Sequence, residues 1–557
     1  MAGRGGGLRR AGAYSALGLA LSVVLAACSS PSAPSTSATD PNDARTFTFA
    51  ISGDAAVLDP WNVVDDNSLQ VTQQIFEPLV TYDPRSFNVR PNLAVSWQVS
   101  PDKRQWTFKL RDGVKFHDGT DFNSDAVVFN FERARRTDFR YRNRRPVADD
   151  YDYYQTMWGG LNDQSLITKV EAFDRLTVRF VTKTAFGPFL ATLAMATFGI
   201  VSPASIKADP DGWMLPTSQS AAGTGPFMFT PGSWAKDDEI LLVRNPSYWM
   251  IDDRGVRLPY VSRVLIRSIP EPGFRLAALR GGQVHAIRDF APEDIATLKV
   301  EPRITLLDRA PNNVGYLRFN TNIPPLDDPD VRKALAMAID RQVIVSSAYS
   351  GFAAPATQFL PPGILGYDDS TRAFQPYDPD EARRLLRSAK ASDMRLELWY
   401  MPVARAYFPD PRRVAGLIAA DLRKIGITVE LNTTDDFTTY RDRFKRNVFQ
   451  AWLYGWTGDN GDPDNFLCVF FCNTSQNGRW DDATAERAVQ LLREASAETE
   501  ALKRADLYRQ VSRIVQRGVP AVPLVHADVP IAVSRVVSGY VPHPKGSEVF
   551  TFVQLGR

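Results

Sequence analysis

The sequence predicts an α/β fold divided into two or three large lobes. Length is the first reason: the chain has 557 residues, about 530 once an N-terminal leader is set aside, several times a typical domain. The second is an alternation of strand-like and helix-like stretches after about residue 310, which predicts a parallel, doubly wound sheet. The third is the contrast with the chain before that point, which is β-rich with only interspersed helices.

Taken in order, Arg45–Ile51 alternates polar and apolar residues and is expected as a strand. Val95–Val99 and Trp106–Leu110 flank Pro101-Asp102-Lys103 and read as a hairpin. Asn123 and Ser124 can cap a helix reaching Arg135, with Val127, Phe131 and Ala134 on one face. Leu166–Val181 repeats the pattern of short strands around a turn, and Gly223-Thr224-Gly225-Pro226-Phe227 is a tight connection before the strand-like Glu239–Val243.

After Ala310 the pattern changes. Val314–Asn320 reads as a strand. Asp328-Pro329 is an N-cap followed by proline at the first helical position, and one helix is expected to about Ser346. Asp378-Pro379 repeats the device. Arg395–Met401 is the next strand, followed by the loop Pro402–Pro409 and a helix over Arg412–Ile425 that Gly426 stops. Ile427–Leu431, a helix near Phe437–Lys445 and the strand Phe449–Gly455 complete the alternation. Helices at about Asp481–Ser496 and Glu498–Arg517 precede strands at Ala521–His526 and Ile531–Val536, where Pro523 suits a sheet edge better than its centre.

Two loops follow the carboxyl ends of strands in this scheme, which is where open parallel sheets bind ligands. One carries Arg405 and Tyr407. The other, within Leu453–Phe466, carries Gly455, Trp456 and Asp459. If both strands lie in one parallel sheet, a cation and an anion face one crevice. Such a pair suits a zwitterion: arginine offers a planar fork to a carboxylate, and aspartate accepts from an ammonium. Tyr407, Tyr454 and Trp456 would supply apolar walls with hydroxyl or indole donors. The alternative is that Arg405 and Asp459 are ordinary surface charges. Asp462 and Asp464 are expected to brace the turn by local hydrogen bonds.

The N-terminus speaks of export. Arg4, Arg9 and Arg10 precede an uncharged, mostly apolar run, Ala13–Ala27, too short to span a bilayer but suited to a signal peptide. Leu25-Ala26-Ala27-Cys28 resembles the lipobox of bacterial lipoproteins. That resemblance implies a signal peptide over 1–27 and lipidation of Cys28; a plain secretory signal with a chance cysteine is the alternative. Residues 28–44, rich in Ser, Pro, Ala and Thr, are expected to be a flexible tether. Without the leader, 62 basic residues face 63 acidic ones, and this net charge of −1 argues against nucleic acid as a partner. Outside the cytoplasm Cys468 and Cys472 are expected to be oxidised, since one helical turn brings their Cα atoms to about 6 Å. A buried free-thiol pair is the alternative.

Several motifs resemble one family over nearly the whole mature chain. They include Phe76-Glu77-Pro78-Leu79-Val80, Leu93-Ala94-Val95-Ser96-Trp97 and the run from Trp106 to Gly119. Gly223–Phe227, Tyr316–Thr321 and Val331–Leu335 continue the series. The chain is identified as a member of the extracellular solute-binding proteins, family 5, of ABC importers, and Met401–Tyr407 and Gly455–Phe466 are most similar to its dipeptide-binding branch. The resemblance implies a two-lobed, type II periplasmic-binding-protein clamp with an extra subdomain in the first lobe. It places lobe I at 45–313, lobe II at 314–524 and a return to lobe I at 525–557, with hinges near Asn313–Thr321 and Ala521–Ala527. It implies that Asp459 holds a peptide amino group and Arg405 its carboxylate, with Tyr407 beside it. A ligand-facing tyrosine of the first lobe is expected at Tyr153 or Tyr154, although Tyr151–Trp158 departs from the family pattern, as does Cys468. The implied partners are a short peptide, captured by clamp closure, an ABC permease with its ATPase, and a membrane reached through the lipid anchor. The protein is expected as a monomer on the extracytoplasmic face.

Other chemistry is not supported. The acids at 459, 462 and 464 fail the spacing of a calcium loop, and the two cysteines and four histidines do not space as a zinc site. No metal or other cofactor is implied. There is no G-x-S-x-G, P-loop or H-E-x-x-H, so an enzyme is not expected. The competing readings are the same clamp adapted to haem, a metal chelate or a glycan, and an envelope regulatory or scaffold lipoprotein.

Overall fold

The computed structural model describes residues 46–142, 151–209, 214–215, 221–472, 480, 483–546 and 548–556. The leader, Cys28 and the tether lie outside them. The first lobe is built on a seven-stranded sheet in the order Ile304–Leu307, Ile531–Ser534, Ala286–Ile287, Thr46–Ile51, Arg263–Ser268, Glu239–Arg244 and Phe227–Ala235. Thr46–Ile51 runs parallel to both neighbours and is buried along its whole length, threonines included, because it lies mid-sheet with both faces covered.

The extra subdomain is an antiparallel sheet of Ala94–Val99, Gln105–Leu110, Thr177–Thr182 and Ile167–Asp174. The helix Ser124–Arg135 packs near it, its first turn closed by the Asn123 side chain accepting from Ala126 N at 2.9 Å. Val127, Phe131 and Ala134, one helical face, are fully buried. Arg133 of this helix meets Asp59 through two hydrogen bonds of 2.9 Å, both side chains buried.

The second lobe departs from the expected parallel sheet. Its six strands run in the order Ala353–Pro355, Ala521–Ala527, Asn313–Phe319, Ala451–Thr457, Arg395–Trp399 and Thr428–Asn432. Only the last three pair in parallel. Asn313–Phe319 is antiparallel to both neighbours. The reason is topological: it carries the chain into this lobe and Ala521–Ala527 carries it out, so the two must oppose each other. Pro523 is tolerated inside the sheet because the outer strand reaches only Val525–Ala527 and the register shifts on the other side.

The Asp-Pro devices work as expected. Asp328 and Asp378 accept from backbone N–H groups at 2.8 and 2.9 Å, each ahead of a proline, and Asp410 does the same at 2.9 Å ahead of Pro411, a cap not among those expected from the sequence. The single helix expected to Ser346 is two, Pro329–Ala338 and Arg341–Ala348, because Ile339 is extended and Asp340 caps a new helix at Val343 N, 3.1 Å away.

The chain passes between the two sheets at 308–312 and 528–530, immediately outside the expected hinge segments, which are paired strands of the second sheet. Asn313 clasps the departing strand: its side chain donates to Ala527 O at 2.8 Å and accepts from Ala527 N at 2.9 Å. Beyond Ala451–Thr457, the acidic loop is tied to the helix Ala501–Gly518. Arg504 forks onto Asp462 at 2.7 and 2.8 Å and donates to Tyr508 Oη at 2.9 Å, and Tyr508 donates to Asp464 at 3.2 Å. Burial and the Asp462 carboxylate push Asp464 up to about 7, against the pull of Arg504 and Tyr508.

Two measurements test this account. Arg133→Ala leaves Asp59 buried without its main charge partner and is expected to cost about 3–5 kcal/mol, read as a lower urea midpoint. Arg133→Met combined with Asp59→Leu should cost less; an equal loss would show that packing, not charge, dominates. For Asp464 the folded pKa stands above the unfolded value, so its contribution is lost as pH rises from about 4 to about 7. The wild type should therefore lose melting temperature relative to Asp464→Asn across that window, and parallel curves would refute the assignment.

Candidate ligand-binding cleft

Arg395–Trp399 and Ala451–Thr457 lie side by side and parallel, with Leu398 opposite Ala451 and Trp399 opposite Trp452. Their carboxyl ends point the same way, so the Arg405 and Asp459 loops leave one edge of the sheet. Arg405 and Phe408 exchange two backbone hydrogen bonds of 2.9 Å, and Arg405, the first residue of this tight turn, is exposed. The guanidinium lies over the Phe437 ring, 4.9 Å from its centre, with its charge close to the Tyr407 hydroxyl. Tyr407 is buried on Gly455: a Cβ there would stand 2.2 Å from the Tyr407 ring, so only glycine fits. Tyr349 donates to Tyr407 O at 2.7 Å and holds the loop from behind. Burial raises the Tyr407 and Tyr454 hydroxyl pKa values, and the nearby Arg405 charge opposes the rise.

Asp459 is half-buried and held by Asn465, which accepts from its backbone N–H at 2.8 Å and donates to its carboxylate at 3.1 Å. The Trp456 indole N–H donates to the same Asn465 at 3.3 Å. The indole donor expected to face a ligand therefore supports the loop instead. From the first lobe, Tyr153 donates to the second Asp459 oxygen at 3.4 Å. Burial, then the Asp459 charge, raises the Tyr153 hydroxyl pKa. Of the two expected tyrosines, Tyr153 faces the cleft; Tyr154 is fully buried and meets Ser165 at 2.9 Å.

The lobes meet elsewhere along this line. Asn460 donates to Thr192 at 3.2 Å, Gly187 N to Ser496 O at 2.6 Å, and Lys103 pairs with Glu498 at 2.5 Å. Phe87 of the first lobe lies so close to Gly461, φ +66°, that a Cβ would stand 1.9 Å from its ring. None of Asn465, Phe87, Gly187 or Lys103 was singled out by sequence reasoning; only Asn465, an amide just past the loop, offered a local signal. Cys468 and Cys472 are joined by a disulfide, with Cα atoms 4.6 Å apart, at the end of the helix Asp464–Phe471 that follows the loop.

A cavity of about 410 Å³ borders Asp459 and Tyr153. The rest of its wall belongs to the first lobe. Arg405, Tyr407, Gly455 and Trp456 do not line it. The expected site thus appears as two groups on one sheet edge, Arg405 with Tyr407 and Gly455, and Asp459 with Trp456 and Tyr153. Among the described residues no helix is long and apolar enough to cross a membrane.

Comparison with known proteins gives the architecture a lineage. The profile of the bacterial extracellular solute-binding proteins, family 5 Middle, matches residues 88–478. The chain is 34% identical over 553 residues to heme-binding protein A of Haemophilus influenzae, covering 96% of this chain and 98% of that protein. It is 33% identical over 497 residues to the dipeptide-binding protein of Escherichia coli K12, covering 86% and 89%. The solved structure of HbpA2 from Haemophilus parasuis superposes with a TM-score of 0.81 at 31% identity, covering 92% of this chain and all of that one. The chain belongs to the bacterial extracellular solute-binding proteins of family 5, and its two lobes form the type II clamp of that fold.

Proposed function

We propose that this protein is the substrate-binding subunit of an ABC importer and that it captures short peptides, dipeptides first among them, by clamp closure. The observation that carries the reading is the placement of Arg405 and Asp459 on loops leaving the same edge of adjacent parallel strands. The dipeptide-binding protein of Escherichia coli, similar over most of its length, supports it.

In this reading the peptide ammonium sits on Asp459, already oriented by Asn465, and Tyr153 closes over it from the first lobe. The carboxylate sits on the Arg405 fork, beside Tyr407. Two fixed charges act as a ruler and favour a defined short length. Ligand stabilises the closed population, and the loaded clamp delivers to a permease driven by a cytoplasmic ATPase. Leu25-Ala26-Ala27-Cys28 supports a lipid anchor that keeps the clamp at the membrane face.

Heme-binding protein A of Haemophilus influenzae raises the haem alternative. The histidine of the cavity and two of its tyrosines are already engaged. Both nitrogens of its one histidine, His543, are engaged by backbone, at Ser86 O and Lys545 N. The Tyr82 hydroxyl donates to Ala191 O at 2.6 Å and the Tyr248 hydroxyl to Glu77 at 2.9 Å.

Calorimetry on two variants tests the charge assignments. Arg405→Ala should weaken free dipeptides by roughly 2 kcal/mol, the lower end for a lost charge partner because Arg405 is exposed, yet leave C-terminally amidated ones little changed. Equal losses would remove Arg405 from the carboxylate site. Asp459→Asn should weaken free dipeptides by about 2–5 kcal/mol and N-acetylated ones little, and an unchanged affinity for free dipeptides would remove Asp459.

A further inference from the structure

We propose that the cavity beside Asp459 is the pocket for the side chain of a bound peptide's first residue, and that it selects large, apolar side chains there. The inference rests on the peptide reading above. It stands on three observations: where the cavity lies, what lines it and how large it is.

The cavity touches the second lobe at Asp459 alone and the closing tyrosine at Tyr153; every other wall belongs to the first lobe. An ammonium on Asp459 places the first Cα at this boundary. The first side chain then has the cavity on one side, while the rest of the peptide runs along the sheet edge toward Arg405. The residues around Arg405, where the second residue would lie, are not part of the cavity wall.

The lining is mainly apolar. Leu69 and Phe76 come from the helix Asp66–Ile75 and its end, Met195 and Met250 from loops, and Val541 and Phe552 from the C-terminal segment. The acids among the lining residues already have partners. Glu77 accepts from Thr224 at 2.8 Å, Tyr248 at 2.9 Å and Trp249 at 3.0 Å, and Glu548 pairs with Arg309. Arg90 pairs with Asp83 at 2.8 Å. An apolar side chain gains by leaving water here, whereas a cationic one would lose its water against acids that already have partners. At about 410 Å³ the space is within the roughly 300–1,000 Å³ typical of small-molecule pockets, far more than an alanine methyl can fill.

The test is calorimetry of the full mature chain with three dipeptides, Ala-Ala, Phe-Ala and Ala-Phe. The wild type should bind Phe-Ala roughly tenfold or more tighter than Ala-Ala, with Ala-Phe close to Ala-Ala. Two substitutions fill the pocket from separate segments of its lining, Ala196→Phe and Val541→Phe; neither residue is assigned to the peptide termini. Each should abolish the preference for Phe-Ala while leaving Ala-Ala within about threefold, and retained Ala-Ala binding reports that the variant is folded. Heat with Ala-Ala but no preference for Phe-Ala in the wild type, or a preference that survives in a variant that still binds Ala-Ala, overturns this inference and spares the peptide reading. A preference for Ala-Phe instead overturns it as well. No heat with any of the three overturns both.

Discussion

The parallel pairing of Arg395–Trp399 with Ala451–Thr457 is the constraint on which the rest of the cleft depends. Parallel neighbours send their carboxyl ends to one edge, and the loops that follow them must share that edge. An antiparallel pairing of the same two strands would put Arg405 and Asp459 at opposite ends of the sheet. Everything else at the site refines this placement. Gly455 admits the Tyr407 ring, Asn465 orients Asp459, and the buried Asp462–Arg504 pair anchors the loop to a long helix behind it.

The same anchor reaches the other lobe. Gly187 of the first lobe fits where a Cβ would stand 2.1 Å from Glu498 O and 2.6 Å from Arg504 Nε. Arg504 therefore touches both the acidic loop and the line along which the lobes meet. Among the described residues the contacts on that line are small: the ion pair of Lys103 with Glu498, a few hydrogen bonds, and close approaches at Gly187 and Gly461. Exposed or half-exposed pairs of this kind contribute about 1 kcal/mol or less each. A clamp held shut by such contacts leaves room for a ligand to decide between open and closed populations.

Much of this was legible locally. Asp-Pro pairs ahead of helices, the glycine after Ile425 and the alternating strands around Trp97 and Phe108 depend on neighbours within a few residues, and the chain carries them openly. The misreadings have long-range causes. The helix break at Asp340 is reinforced by Asp421, 81 positions away, which accepts from its backbone N–H at 2.9 Å. Pro523 sits inside a sheet because a distant strand is too short to need its N–H. The antiparallel half of the second sheet follows from where the chain enters and leaves the lobe, which no local pattern encodes.

The site divides in the same way. Charge type, aromatic content and loop position named Arg405, Tyr407, Gly455 and Asp459 from sequence, because these residues sit where strand grammar ends and ligand chemistry begins. Tyr153 rested on a resemblance, and its meeting with Asp459 spans 306 positions. The cavity beside them is assembled from the helix Asp66–Ile75, loops near Met195 and Met250, and a segment close to the C-terminus. By itself the sequence determined which groups could grip a zwitterion, since that depends on side-chain chemistry and local spacing. Only the tertiary structure decided which of them face each other, which donors are already engaged and where empty volume lies. Those properties belong to surfaces brought together by packing, and neighbouring residues in the chain do not contain them.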